Sequence, residues 1–340
     1  MPKHIARWDL DKTYLRTEFD TIRDLVKTAL ERPDEKRTNP GASTLLREMV
    51  RAGVSVHILS GSPEQMRRRL EDKLRLDGIT WDSFTLKPNL QNMLRLRFRA
   101  LKDQLGYKLP ALLRARARSA DDVEIEKLAL KETLFGDDAE ADAFVYSLYG
   151  DVCAGKVSEE ELVRICEKGK VYEDVLEAIV ADVRRLQPRP IVERILIHLE
   201  RQTPPDDFRI YGARAVPFYN YLQAAFVVHE DGRLPAEAVL RVAVELVVQH
   251  RFDGDALARS YLDLGRRGHL RGDHVEALGA ALASWTDREK VPGAAELARM
   301  CEKLPAHADS AKKSSRLDEE PPQPDYAKLV SAHNPRKKRR

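Results

Sequence analysis

Short apolar runs of strand length alternate with amphipathic stretches of helical spacing along the first half of the chain. The strand candidates are largely apolar, which is typical of strands buried on both faces of a parallel sheet, and they comprise residues 5–8, 54–59, 79–86 and 128–135. Apolar positions recur at helical spacing at residues 21–30, 43–51, 64–74, 158–168 and 172–186. This alternation predicts an α/β fold with a Rossmann-like parallel sheet.

Residues 191–199 fit two patterns, because their apolar spacing suits a helix while Ile195, Leu196 and Ile197 suit a core strand. We favour the strand. Residues 156–190 are then a helical insertion in the α/β domain, and residues 215–228 form a closing helix packed on the core. The first domain is expected to span residues 1–230.

The pattern becomes more helical beyond residue 150, and further helical segments follow residue 232. Helical spacing covers residues 235–250, 254–265 and 273–285, which predicts a helical module over residues 231–304. From residue 305 the composition is polar and rich in proline, and the chain ends in five consecutive Lys and Arg residues. Such a composition predicts a disordered, basic-ended tail over residues 305–340.

Composition narrows the class of protein. The chain has 340 residues, of which 43% are hydrophobic, enough for one large core or two modest ones. No apolar run approaches the roughly 20 residues that cross a bilayer, and no secretory leader precedes the first strand candidate. We therefore expect a cytoplasmic protein. The three cysteines lack the spacing of metal or redox sites and are expected to be small packing residues.

Positive charge is concentrated in one part of the chain. The net charge is only +3, yet residues 64–118 contain fourteen Lys or Arg and six Asp or Glu residues. This excess suits an anionic substrate or peripheral contact with an anionic membrane, and it equally suits the solvated faces of ordinary helices. Nucleic acid is not an expected partner, since no aromatic platform or recognition helix accompanies the basic terminus.

Polar side chains follow three of the predicted strands. Asp9 and Asp11 come directly after the first strand, Ser60 follows the second, and three aspartates, Asp137, Asp138 and Asp142, follow residues 128–135. The carboxyl ends of parallel strands meet at one edge of the sheet, where ligands bind. Each group alone also has a structural interpretation: a turn acid, a helix cap or an acid near a helix N-terminus.

Taken in order, these segments resemble the four motifs of the haloacid dehalogenase-like (HAD) phosphatases. The matching segments are Asp9-Leu10-Asp11-Lys12-Thr13, Ser60 after its strand, a lysine, and Gly136-Asp137-Asp138 through Asp142. Within that superfamily, Gly106-Tyr107-Lys108-Leu109-Pro110 is similar to the catalytic domain of actin-patch phosphatidate phosphatases and their bacterial relatives. Lys108 is therefore our choice for the third motif, with Lys102, Lys127 and Lys131 as rivals.

The resemblance implies a role for each residue. Asp9 would be the nucleophile that forms an aspartyl-phosphate, and Asp11 would be the general acid and then the general base. Ser60 and Lys108 would bind phosphoryl oxygens, while Thr13 would brace the loop. Lys12 stands where the family commonly has glycine.

The resemblance also implies a magnesium ion, a hard cation that prefers oxygen ligands. Its ligands would be the Asp9 carboxylate, the backbone carbonyl of Asp11 and the Asp137 carboxylate, supported by Asp138 or Asp142.

The expected function is magnesium-dependent hydrolysis of a phosphomonoester, with phosphatidate-like lipids as the substrate class that the closer resemblance favours. Phosphoproteins and nucleotides are alternative substrates. A second hypothesis is a catalytically silent HAD fold that serves as a binding module, with an unknown protein partner for the helical region. His57 lies within a strand candidate and is expected to be a packed or hydrogen-bonded residue.

Overall fold

The computed structural model describes residues 4–16, 36–87, 101–120, 130–319 and 322–333. Its strands are β1 (His4–Trp8), β2 (Ser55–Pro63), β3 (Ser83–Lys87), β4 (Lys131–Asp137), β5 (Val192–His198) and β6 (Ala215–Phe218). Its helices are α1 (Ala42–Arg51), α2 (Arg67–Leu76), α3 (Leu101–Ala120), α4 (Asp142–Cys153), α5 (Glu159–Lys168), α6 (Glu173–Val183), α7 (Tyr221–Glu230), α8 (Ala236–His250), α9 (Gly254–Arg266), α10 (Val275–Arg288), α11 (Ala294–Ser314) and α12 (Tyr326–His333). Short 3-10 helices cover Glu64–Met66 and Pro205–Tyr211.

The six strands form one sheet in the order β3-β2-β1-β4-β5-β6, and every neighbouring pair is parallel. From β1 the chain builds outward to β2 and β3, and it then returns to place β4 on the other side of β1. The strand order therefore reverses between β1 and β4, and ligands in open α/β sheets bind at such a point. The predicted α/β fold with a Rossmann-like parallel sheet is confirmed.

Helices cover both faces of the sheet, and strand residues alternate between two hydrophobic clusters. Phe135 and Leu196 belong to the cluster beneath α1 and α7–α11. Their neighbours Leu134 and Ile195 belong to the cluster formed with α3–α5 and α12. The helices after residue 230 thus share a core with the sheet instead of enclosing a separate one.

Most predicted strands are confirmed, including β5, for which the sequence also fitted a helix. β2 runs through Pro63, beyond the predicted end at Leu59. The predicted closing helix at residues 215–228 is wrong at its start, because residues 215–218 form the edge strand β6. Pro217 lacks an N–H and is tolerated at such an edge, and the Asn220 side chain caps α7 by accepting a hydrogen bond from the Gln223 N–H.

The helical predictions have three distinct outcomes. The helices expected between β4 and β5 are present, and Ser158 caps α5 as its sequence suggests. The helix predicted at residues 21–30 lies outside the described residues. The long helix α3 was not predicted, because Pro110 in its middle reads as a helix break.

The prediction of a disordered tail from residue 305 is wrong for residues 305–319 and 322–333. Helix α11 continues through Pro305 to Ser314 and buries Ala308 and Ala311. In α12, Tyr326 is fully buried, and its hydroxyl donates a hydrogen bond to the Asp151 carboxylate over 2.5 Å. The segment was predicted to be disordered because its composition is mainly polar, although a few apolar residues recur in it at helical spacing. Within the described part of the chain, no helix has the length and apolar character needed to cross a membrane.

Candidate functional site

Two carboxylates lie at the point where the strand order reverses. Asp9 directly follows β1, and Asp137 is the last residue of β4. The two strands pair in register up to Trp8 and Phe135, and the Asp9 N–H donates to the Phe135 carbonyl over 3.0 Å. Both side chains are completely buried.

The loop after β1 is held through its backbone carbonyls. The Asn39 side chain donates hydrogen bonds to the carbonyls of Lys12 and Thr13, and the Tyr221 hydroxyl also donates to that of Thr13. Lys12 has a φ of 61°, a left-handed conformation that glycine adopts without strain. Thr13 Oγ1 donates to Asp9 Oδ2 over 3.2 Å, so Thr13 orients the Asp9 carboxylate.

Lys108 reaches the site from α3 and is completely buried. Its ammonium nitrogen lies 2.5 Å from Asp142 Oδ1, 2.9 Å from Glu140 Oε2 and 3.4 Å from Asp9 Oδ1. A buried cation requires such compensation. Three carboxylates thus surround one ammonium group.

Asp11 lies beside a pair of serines at the end of β2. The hydroxyls of Ser60 and Ser62 both donate to Asp11 Oδ2 over 2.8 Å, and the Ser62 N–H donates to Ser60 Oγ. Tyr107 fixes this strand end by donating from its hydroxyl to the Ser60 carbonyl over 2.7 Å. Ser60 therefore contacts the second acid directly, while Ser62 is a contact that the sequence analysis did not assign.

The three aspartates at the end of β4 and beyond it have different surroundings. Asp137 Oδ1 accepts bonds from the N–H groups of Ala139 and Glu140, which shapes the turn. Asp142 Oδ2 accepts from the Asp137 N–H over 3.2 Å. Asp138 points elsewhere, because its carboxylate accepts from the N–H groups of residues 201 and 203 after β5.

Gly136 is required for the close approach of the turn to α4. A Cβ built at this glycine would lie 2.4 Å from Asp142 Oδ2 and 2.6 Å from Asp142 Cβ. Any larger residue would therefore displace Asp142 from its bonds to Lys108 and the Asp137 N–H. The Gly-Asp pair seen in the sequence thus has a packing reason.

Burial dominates the electrostatics of the cluster. It raises the pKa of Asp9 and of Asp137 well above the usual range, while Lys108 opposes the shift in both. It raises the pKa of Asp142 to about 6, again against Lys108. Burial also raises the pKa of Asp11, opposed by the Ser62 and Ser60 hydroxyls. Carboxylates with raised pKa values favour either a proton or a cation.

The donor set fits a hard divalent cation. Asp9, Asp137, Glu140 and Asp142 each offer a carboxylate oxygen, and these oxygens all lie within 4.8 Å of one another. Asp9 Oδ1 is buried, and apart from the Lys108 ammonium at 3.4 Å no described group is positioned to donate to it, which leaves a lone pair available for a cation. Oxygen-only ligands suit magnesium, calcium or manganese. Glu140 belongs to this group although the sequence analysis gave it no role.

The remaining candidates lie away from the cluster or outside the described residues. The Lys131 ammonium donates to the Pro190 carbonyl over 2.7 Å. Lys127 and the side chain of Lys102 are not among the described parts of the chain. His57 hydrogen-bonds to the hydroxyls of Ser83 and Ser55, which confirms the prediction of a hydrogen-bonded strand residue. Asn39 and Tyr221 support the site without any signal in the local sequence.

Comparison of the chain with family models, with curated proteins and with solved structures found no significant match. The site is therefore interpreted from its own residues.

Proposed function

We propose that this protein is a magnesium-dependent phosphatase that hydrolyses phosphomonoesters through an aspartyl-phosphate on Asp9. The observation that carries the proposal is the buried ammonium of Lys108, positioned between Asp9 and Asp142 where the strand order reverses. A fixed cation beside a carboxylate suits a reaction in which negative charge accumulates on phosphoryl oxygens. The HAD resemblance of the sequence supports the same reaction.

In the first half of the proposed reaction, an Asp9 oxygen attacks phosphorus, and the bond from phosphorus to the ester oxygen breaks. Asp11 gives its proton to the departing alkoxide. In the second half, Asp11 takes a proton from a water molecule whose oxygen attacks phosphorus, and inorganic phosphate leaves as Asp9 is regenerated. The raised pKa of Asp11 favours the protonated form that the first half requires.

Ser60 and Ser62 control Asp11 in this proposal. Their hydroxyls donate to the Asp11 carboxylate and so limit the rise in its pKa. Ser60 would serve as a phosphoryl ligand only after its hydroxyl rotates away from Asp11. Thr13 keeps Asp9 oriented, and Lys108 binds the phosphoryl group.

Asp9, Asp137, Glu140 and Asp142 would hold the magnesium ion. When bound, the ion would offset carboxylate charge and favour the ionised, nucleophilic form of Asp9. Glu140 is the most exposed of the four side chains, at 15%, and it would contact both the cation and the incoming substrate.

The sequence resemblance favours phosphatidate-like lipids as substrates, with phosphoproteins and nucleotides as alternatives. Two arginines of α2, Arg67 and Arg75, do little to separate these classes. Arg67 pairs with Glu64 and Glu71, and Arg75 pairs with Glu71 and Asp72. Their charge is largely balanced within their own surroundings.

A phosphate-release screen tests the proposal. The substrates are soluble phosphate esters, phosphoproteins and phosphatidic acid in vesicles, each with magnesium and with a chelator. The account predicts magnesium-dependent release by the wild type and none by Asp9→Asn, with Asp138→Asn as the matched control that retains activity. If no substrate turns over, or if Asp9→Asn keeps the full rate, the proposal is wrong. Partner binding without turnover would favour the silent binding module.

A further inference from the structure

A cavity of about 830 Å³ lies between α1 and α8, and none of the four clustered carboxylates lines it. Its volume is in the range of small-molecule sites. Seven of its lining residues are lysine or arginine and two are glutamate. The lining of this cavity is therefore mainly basic, whereas the carboxylate cluster is acidic.

The carboxylates at the cavity do not balance its cations. Glu48 is almost fully buried and is shared by two guanidinium groups, with Arg51 at 2.6 Å and Arg241 at 2.7 Å. Among the described residues, Arg47 donates only to neutral oxygens, the Asp77 carbonyl at 3.2 Å and the Thr44 hydroxyl at 2.8 Å. Lys73 pairs with Asp77 at 2.7 Å, so the positive charge that an anion would meet is that of Arg47 and of the two arginines that share Glu48.

Arg241, which lines the cavity, also has an unused donor. Its Nε is buried and donates no hydrogen bond to any described residue, and a buried donor without an acceptor costs free energy. Guanidinium groups bind phosphoryl oxygens through paired N–H donors. Arg47 and Arg241 come from different helices, so they would contact separate groups of one ligand.

We propose that the cavity between α1 and α8 binds an anion that carries two or more phosphoryl groups, held by Arg47 and Arg241. This inference does not depend on the phosphatase proposal. None of the cavity's lining residues belongs to the carboxylate cluster, so substitutions of Arg47 and Arg241 leave that cluster unchanged. The two sites can therefore be measured separately.

Inorganic triphosphate is the probe, and calorimetric titration of the full chain in excess chelator is the measurement. The wild type should bind, and Arg47→Gln combined with Arg241→Gln should weaken binding by about tenfold or more. Arg75→Gln is the control, because Arg75 is an exposed arginine outside the cavity that pairs with Glu71 and Asp72. Thermal unfolding shows that each variant is folded.

A second variant is expected to bind triphosphate more tightly, which a loss of structure would not cause. Glu48→Gln removes the carboxylate that competes for Arg51 and Arg241, so triphosphate should bind more tightly. No binding by the wild type, or equal binding by the double variant, overturns the proposal. Unchanged or weaker binding by a folded Glu48→Gln also contradicts it.

Competition with vesicles that contain phosphatidic acid distinguishes two sources of the same phosphoryl chemistry. Displacement of triphosphate by vesicles, lost with the double variant, assigns the cavity to lipid headgroups. Absence of displacement, with triphosphate binding intact, assigns it to a soluble anion.

Discussion

The ammonium nitrogen of Lys108 lies 3.4 Å from Oδ1 of Asp9, and neither side chain is exposed to solvent. Helix α3 supplies the lysine, and the loop after β1 supplies the aspartate. The same ammonium bonds to Asp142 and Glu140, so it links the loops that follow two adjacent strands. Its removal should affect both the chemistry and the stability of the site.

Lys108→Gln is expected to lower kcat for phosphate release by about 100-fold to 1,000-fold, because one charge that faces the transition state is lost. The metal-free variant should also lose about 3–5 kcal/mol of unfolding free energy, since buried carboxylates are left without their cation. Steady-state kinetics and urea unfolding measure the two effects. Lys131→Gln is the control, and equal behaviour of the two variants would refute the assignment of Lys108.

Asp142→Asn and Asp138→Asn should separate the two candidate supporting ligands. Asp142 belongs to the four-carboxylate cluster, whereas Asp138 binds backbone N–H groups after β5. We expect Asp142→Asn to weaken magnesium binding by about tenfold or more, and Asp138→Asn to leave it unchanged while costing about 1 kcal/mol of stability. Calorimetric titration with magnesium measures the affinity of both variants. A larger loss of affinity in Asp138→Asn than in Asp142→Asn would contradict the structure.

Magnesium binding should strengthen as the pH rises. Burial raises the pKa of Asp142 from its ordinary 3.8 to about 6, so the metal-free folded state keeps a proton that the unfolded chain has released. Between pH 3.8 and about pH 6, the contribution of Asp142 to the free energy of unfolding therefore falls as the pH increases. A bound cation must displace the proton. The magnesium-induced rise in Tm should therefore be larger at about pH 7.5 than at about pH 5, and an equal rise at both would contradict this account.

Tyr326→Ala should destabilise the protein by about 3–5 kcal/mol, because a large buried aromatic side chain is removed from a packed cluster. Tyr326 packs edge-on against Phe144 with ring centroids 5.5 Å apart, and its hydroxyl bonds to Asp151. Urea unfolding measures the loss, and Lys328→Ala on the exposed side of α12 is the control. No difference between the two variants would mean that this segment does not pack on the core.

The sequence was sufficient to predict five of the six strands and the edge where the acidic residues meet. Strands such as β2 are largely buried on both faces, so their apolar runs carry a clear signal. Because parallel strands align their carboxyl ends, residues such as Asp9 and Asp137 were expected to converge, and they do. Lys108 was selected through the family resemblance, and its burial in the site supports that selection.

Other features depend on contacts between distant segments, which local patterns do not encode. Tyr221 donates to the Thr13 carbonyl although the two residues are 208 positions apart in the sequence, and no spacing rule links them. Asp138 and Asp142 look equivalent in sequence, yet backbone donors after β5 turn Asp138 away. Nothing in the local sequence distinguishes Glu140 from other loop acids. It belongs to the site because α3 places Lys108 beside it.

Covalent labelling of Asp9 tests the central claim most directly. The protein is mixed with magnesium and a substrate that passes the phosphate-release screen, quenched in acid within one turnover, digested and analysed by mass spectrometry. We predict an acid-stable, base-labile phosphoryl group on the peptide that contains Asp9. This group should be absent from Asp9→Asn, and it should not form when a chelator removes the magnesium. Turnover with no phosphoryl group on Asp9, or with one on another residue, would contradict it.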